Sequence, residues 1–408
     1  MSFLFSTALS GLRASSDALS VTGNNIANAN TTAFKSQTIN FADVILNTLG
    51  VNGANAALQL GNGVTVASIN KDFSQGNIDD SGSVTSMAIH GNGFFVVKDA
   101  DGRQNYTRAG DFILDKDGFL VTSNGQRVQG YAAVDGIIPP DAALSALQVP
   151  IGTTVNPKVT TEATMRMNLN AGDAVGTDFT ASVQVYDSLG GGHTLNLVYT
   201  KTADLTYTVK ATLDGTDAPL TPTDLTFDSD GKLTSPASPT QLVISPDQTM
   251  LGGATLPTIN VNLYQPDGTT NITNLTAASG VSSTSQDGFA AGTVSGLLTD
   301  KTGVLTAVFS NGQTRPLGQL ALATFNSQDG LKAEGGNLYG EWIGSGPPSI
   351  GKPGAAGRGE IAGQALEQSN VDIAKEFTNL IIAQRSYQAN SRVITTFNQA
   401  LQDLLQVI

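Results

Sequence analysis

The sequence contains no cysteine and only two histidines, His90 and His193, in 408 residues. Without cysteine there are no disulfides, thiolate metal sites or cysteine nucleophiles. Absence of cysteine also suits an extracellular protein that crosses a membrane unfolded. A Ser-His-Asp triad needs a histidine in a pocket beside a nucleophile. Here His90 closes an apolar stretch before a turn and His193 follows three glycines, so both read as structural. Charged residues make up 13% of the chain, about half the usual share. The balance is acidic, at a formal charge of -13. Lys and Arg form no cluster, so the basic patch that a phosphate backbone requires is missing, and nucleic acid is not an expected partner. No apolar run reaches the roughly 18 residues of a membrane span, so membrane insertion is not expected. The first ten residues lack the basic n-region and cleavage site of a secretory signal and read as retained. Trp342 is the single tryptophan, which leaves no aromatic frame around an acid/base pair for a carbohydrate-active enzyme.

What the chain does have is apolar spacing. Leu366, Ile373, Leu380, Tyr387, Ile394, Leu401 and Ile408 recur every seven residues, as do Phe5, Leu12, Leu19 and Ile26. Ala8, Ser15, Thr22 and Ala29 occupy the offset position. Such seams pack on another helix. The flanks carry few charges: only Arg13, Asp17 and Lys35 up to Ala42, and only Arg392 and Asp403 from Ser386 onward. Ser, Thr, Asn, Gln and Ala stand where a solvated face would carry Lys and Glu. A simple pair of helices within one chain accounts for the seams alone. Small uncharged side chains on several faces point further, to dense lateral packing and a polymerising structural protein.

The first helix is expected from about Phe3 to Asn28, ended by Asn24, Asn25, Asn28 and Asn30. These asparagines serve as a stop signal or as hydrogen-bonding groups between subunits that fix register. The last helix is expected to open at Ser369-Asn370-Val371-Asp372, a capping-box spacing, and to run roughly 36 residues. Between the helices lie short apolar stretches and turn pairs, Asn92-Gly93, Asp101-Gly102, Asp117-Gly118 and Asn124-Gly125, which predict an antiparallel meander. A second alternating unit follows at Phe179–Val185, Leu195–Tyr199 and Leu205–Leu213. Residues 215–285 read as long loops between edge strands, and 344–363 as a Gly/Pro-rich linker. Asp115-x-Asp117-Gly118 and Asp228-x-Asp230-Gly231 resemble calcium loops but lack the remaining ligands, so turn chemistry is the better reading. Gly91-x-Gly93 is not followed by a helix and is no dinucleotide fingerprint. No catalytic, cofactor or metal site emerges.

Three stretches resemble the bacterial flagellar rod/hook family. The first is Ser10-Gly11-Leu12 with Asn24 to Lys35. The second is Ala365-Leu366-Glu367, Ser369 to Asp372 and Ala383 to Ser391. The third, Gly91-Asn92-Gly93-Phe94-Phe95 and Tyr106 to Gly110, is shared by both branches, whereas Gln286-Asp287-Gly288-Phe289, Ser310 to Gln313 and Leu317 to Ala323 are similar to the hook branch. The likeness covers roughly 1–156 and 286–408; residues 157–285 match in position and β character only.

The resemblance implies an α+β fold in which long N- and C-terminal helices pair in a coiled-coil-like inner tube, with two nested β-rich domains. The expected parts are 1–30 plus 366–408 as helical core, 31–70 as connecting region, 71–156 plus 286–365 as inner β domain, and 157–285 as an inserted outer β domain. It implies a non-enzymatic homopolymer without cofactor in the extracellular flagellum, a bendable joint passing torque from rod to filament. Expected partners are further copies, the distal rod protein, the hook cap, the hook-filament junction proteins and the flagellar export apparatus. The expected assembly interface is Phe5, Leu12, Leu19, Asn24, Asn25, Ile26, Asn28, Ile373, Leu380, Tyr387, Ile394, Leu401 and Ile408. The rivals are a stiff distal rod subunit of the same family and a secreted β-rich adhesin.

Overall fold

The computed structural model describes residues 2–44, 47–51, 57–150, 152, 154–248 and 253–407. The chain divides into two compact units, one of Met1–Ile151, Gly296–Ala307 and Thr314–Ile408, the other of Gly152–Ser295 and Val308–Gln313.

The first unit carries both helices, α1 (Ser2–Ala27) and α2 (Ile373–Val407). α1 ends where asparagines compete for its backbone: Asn28 Nδ2 donates to the Asn24 carbonyl at 2.9 Å, and Thr31 Oγ1 donates to Asn28 Oδ1 at 3.1 Å. α2 starts at Asp372, whose Oδ1 accepts the N–H groups of Ala374 and Lys375 at 2.9 and 3.1 Å. The cap is therefore Asp372, not the Ser369 that the capping-box spacing suggests. Leu366 is likewise outside the helix, in strand Ala365–Glu367, so the last heptad series begins one repeat later, at Ile373.

The β part of this unit interleaves both halves of the chain. Phe94–Lys98 forms a hairpin with Gln104–Thr107 and also pairs with Arg127–Ala132 and Leu322–Thr324. Leu338–Gly340 adds to Gln104–Thr107, Glu360–Gly363 to Met87–His90, and Ala365–Glu367 to Ile78–Asp80. The 344–363 stretch is thus no linker. Its Ser349–Gly351 strand pairs with Leu322–Thr324, and glycine and proline only keep its strands short. The core between these strands is aromatic: Phe94, Tyr106, Phe325 and Tyr339 are buried, and the Tyr106 and Phe325 rings meet edge to face at 4.8 Å. Each such side chain contributes roughly 1.5–3 kcal/mol by leaving water. Gln37–Asp43 and Val64–Lys71 form a separate hairpin, and Asn47–Val51 pairs with Ala57–Leu60.

The second unit is built from two sheets that share one core. Asp178–Tyr186, Gly192–Ala203 and Thr206–Leu213 form an antiparallel meander extended by Asp224–Phe227 and Leu233–Ser235. In the other sheet Glu162–Asn170 lies parallel to Ile259–Asn262 and Ile272–Leu275 and antiparallel to Gly280–Gln286. Val183, Val185, Leu195, Leu197, Tyr199, Met165, Leu169, Leu242 and Val261 point into the common core. Residues 215–285 are therefore not mainly loops. Ile259–Asn262 is an interior strand between Gln241–Ile244 and Glu162–Asn170. Four-residue strands with two inward side chains are too short to show a period.

One turn recurs in both units. At Asp99, Asp115, Asp187, Asp228 and Asp300 the carboxylate accepts the N–H four residues on at 2.7 to 2.9 Å. The glycine three residues on has φ between +76° and +87°, a left-handed value that costs glycine nothing. The calcium-like Asp115 and Asp228 segments are members of this series, with Oδ1 of each accepting two backbone N–H groups.

Candidate assembly interface

α1 and α2 pack against each other in antiparallel fashion: the Phe5 and Phe397 rings stand 6.4 Å apart near one end, and Gly11 sits on Asn390 further along. The deepest row of α1 is the small-residue one. Ala8, Ser15 and Thr22 are buried, whereas Leu12, Leu19 and Ile26 are half-buried and Phe5 is exposed. A β-carbon on Gly11 would lie 2.9 Å from Asn390 Nδ2 and 3.0 Å from Oδ1. Small residues bring the backbones close enough for that amide to cover the helix directly. On α2, Leu380, Ile394 and Leu401 are half-buried, with Glu376, Ala383, Asn390 and Phe397 filling the intervening heptad position, while Ile373 and Tyr387 are exposed. Ile408 lies outside the described residues.

This pairing leaves much of α2 unpartnered. Ile373, Phe377 and Ile381 form an exposed stripe at four-residue spacing, and Ile382 (59%) and Val393 (49%) are exposed beside it. Phe377, Ile381, Ile382 and Val393 fall outside the heptad phase, so a search for a single seam misses them. Two recesses accompany the pair. One of about 520 Å³ lies between the helices and the 37–71 hairpin, with Ala14, Val21, Phe41, Ile382 and Ala383 in its walls. Another of about 440 Å³ is bounded by Phe5, Ala8, Val393, Ile394 and Phe397.

The asparagines divide by role. Asn25 is buried, its Nδ2 donating to the Gln37 carbonyl at 2.8 Å and its Oδ1 accepting Gln37 N–H at 2.9 Å. Both ends of that amide are engaged within the chain, fixing how the polypeptide leaves α1. Asn24 is exposed, and Asn28 serves the helix end.

Where the segment after α1 meets the segment before α2, the structure closes a charged clasp. Lys35 Nζ contacts Glu367 Oε1 at 2.7 Å with both side chains fully shielded, and Arg108 Nε lies 3.3 Å from Glu367 Oε2. Lys35 also donates to the Ser74 carbonyl, Gly76 N–H to Glu367, and Arg108 to the carbonyls of Gly91 and Gly93. Burial lowers the pKa of Lys35 and of Arg108, opposed in each case by the Glu367 carboxylate. Asn370 completes the junction, accepting Ser36 N–H at 2.8 Å and donating to the Asp72 carbonyl at 2.8 Å. Lys35, a lone charge between Asp17 and Asp43, was the available signal for this cluster.

Neither histidine is part of a helix. His90 ends strand Met87–His90, and His193 is held between Asp187 and Asp214 in the second unit. Among the described residues no group of three His, Cys, Asp or Glu side chains is disposed to hold a metal ion.

Comparison with known proteins places this geometry. Four family profiles match: the flagella basal body rod protein at residues 5–35, the flagellar hook protein FlgE/F/G D1 domain at 88–165, the flagellar basal body protein FlaE D2 domain at 153–289, and the flagellar basal body rod FlgEFG protein C-terminal at 362–407. The chain is 35% identical to the flagellar hook protein FlgE of Salmonella typhimurium, covering 99% of each, and 34% identical to that of Escherichia coli, again covering 99% of each. It is 32% identical to FlgE of Borreliella burgdorferi over 98% of both chains. The crystal structure of Helicobacter pylori flagellar hook protein FlgE2 superposes with a TM-score of 0.53 over 71% of this chain and 100% of the other, at 18% identity, a likeness of fold.

Proposed function

The chain belongs to the flagellar hook protein family, and on that premise we propose that it is a structural subunit of the hook, outside the cell, which copies of itself extend into a tube. The observation that carries this reading is the exposed apolar surface of α2, Ile373, Phe377, Ile381, Ile382 and Val393, left open after α1 has been paired. Each of those side chains gains roughly 1.5–3 kcal/mol on full burial, and neighbouring copies are the partners available at every position. Contacts of this kind are head-to-tail, and repeated along a screw axis they generate an open tube, not a closed ring.

In this reading residues 1–30 and 366–408 supply the cohesive core, including Leu12, Leu19, Ile26, Leu380, Ile394 and Leu401. Residues 31–70 connect it to the β parts, 71–156 plus 286–365 form the nearer one, and 157–285 the inserted one. The β parts meet neighbours through polar, glycine-rich surfaces that slide more easily than the helices, so the tube bends while it turns. The role is mechanical, not catalytic. The distal rod protein, hook cap, junction proteins and export apparatus are its proposed partners at the ends of the polymer and during delivery.

Negative-stain electron microscopy of the purified, concentrated protein tests this. Tubes with an axial channel are expected; closed rings or monomers at every concentration and salt would refute it.

A further inference from the structure

One turn of the first unit holds the chain's only tryptophan out in solvent. Trp342 is 59% exposed and Ile343 is 94% exposed, more than any other large hydrophobic residue among those described. The base beneath this tip is rigid. Ser345 is buried; its Oγ accepts Trp342 N–H at 3.1 Å and donates to the Trp342 carbonyl at 2.8 Å, and its own N–H donates to that carbonyl at 3.0 Å. Gly330 lies directly against the turn, so close that a β-carbon there would come within 2.1 Å of the Gly344 carbonyl carbon. The Lys332 ammonium stands 6.0 Å from the indole centroid, at the edge of the tip.

An apolar pair on a fixed turn has little conformational freedom left to lose on binding. Tryptophan is also among the residue types most enriched where binding energy concentrates. We propose that Trp342 and Ile343 form an anchor that inserts into a second copy of this chain, in a recess beside its helix pair. The proposal rests on the hook reading and adds a specific contact to it. A second copy is the fitting partner because this same chain carries an apolar recess of about 440 Å³ between Phe5, Ala8, Val393, Ile394 and Phe397, large enough to receive two side chains. A tip meeting a recess built from other residues is a head-to-tail contact, the class that propagates without closing.

Because Trp342 is the sole tryptophan, tryptophan emission, excited selectively over tyrosine, reports this site alone. On assembly of the wild-type chain, emission is expected to move to shorter wavelength and acrylamide quenching to fall, as an anchor leaving water requires. Ile343→Asp should raise the critical concentration for assembly about thirtyfold, the scale of one hot-spot residue. Its monomer should keep the wild-type circular dichroism, since the Ile343 side chain is almost fully exposed. Tubes with unchanged emission and quenching, or an Ile343→Asp variant that assembles at the wild-type concentration, would overturn the anchor and leave the hook reading standing. A spectral change seen only when another flagellar component is added would overturn the choice of partner. Failure of the wild-type chain to assemble under any condition would overturn both.

Discussion

Lys35 and Glu367 are 332 residues apart in sequence, yet their charged groups meet at 2.7 Å with neither side chain exposed to solvent. The pair ties the exit of α1 to the approach of α2, and Arg108 joins it from the β part of the same unit. Two cations thus share one buried carboxylate. Such a cluster is not an efficient source of stability compared with an apolar core, but removing one member strands the others. Glu367→Gln should therefore destabilise the first unit by about 3–5 kcal/mol, read as a lower midpoint in urea. A loss within experimental error of zero would mean that Lys35 and Arg108 find other partners.

Gly11 and Asn390 set how closely the helices approach. Gly11→Leu should weaken helix pairing by about 1–3 kcal/mol through overpacking and raise the critical concentration for assembly. Asn390→Ala opens space opposite and should recover part of the loss, so a double-mutant cycle is expected to show strong coupling. Additive effects would place the two residues out of contact.

His193 makes the second unit sensitive to pH. Its Nδ1 lies 2.6 Å from Asp214 Oδ2 and its Nε2 3.0 Å from Asp187 Oδ2. Burial disfavours the imidazolium, but the hydrogen bonds and charges of Asp214 and Asp187 outweigh it and raise the pKa above the ordinary 6.5. The folded state then holds its proton more tightly than the unfolded state. That stabilisation is complete below the unfolded pKa and is lost as pH rises through the raised folded value. The urea midpoint of the second unit should fall from neutral into mildly alkaline pH, and His193→Gln should flatten the decline. An identical slope in the variant would assign it to other groups.

Much of this was legible beforehand in the sequence. The helices announce themselves through heptad spacing, and the turn pairs locate the hairpins, because both signals are local. The antiparallel match of Gly11 to Asn390 and the meeting of Lys35, Arg108 and Glu367 are not local, and no spacing rule brings them together. The small-residue row at Ala8, Ser15 and Thr22 was visible, but size suggested the larger Leu12 and Leu19 as the deeper seam. Close backbone approach reverses that order. Strands such as Ser349–Gly351 and Ile259–Asn262 escape because three or four residues carry no periodicity.

Limited proteolysis reports on the helices before and after assembly. In the monomer α2 has one packed face and a long exposed one, so it should be cut well before the β units, whose interiors are closed. Assembly should protect it strongly. Equal cleavage rates in monomer and polymer would show that neighbours do not cover this surface.

In the proposed tube, copies of the chain meet at the face of α2 left open by α1. A helical reconstruction of the tube by electron cryomicroscopy measures this directly. α1 and α2 are expected at the inner wall, with Phe377, Ile381 and Ile382 buried against helices of adjacent subunits. Tubes whose helices lie elsewhere, or in which those three side chains remain in solvent, would contradict it.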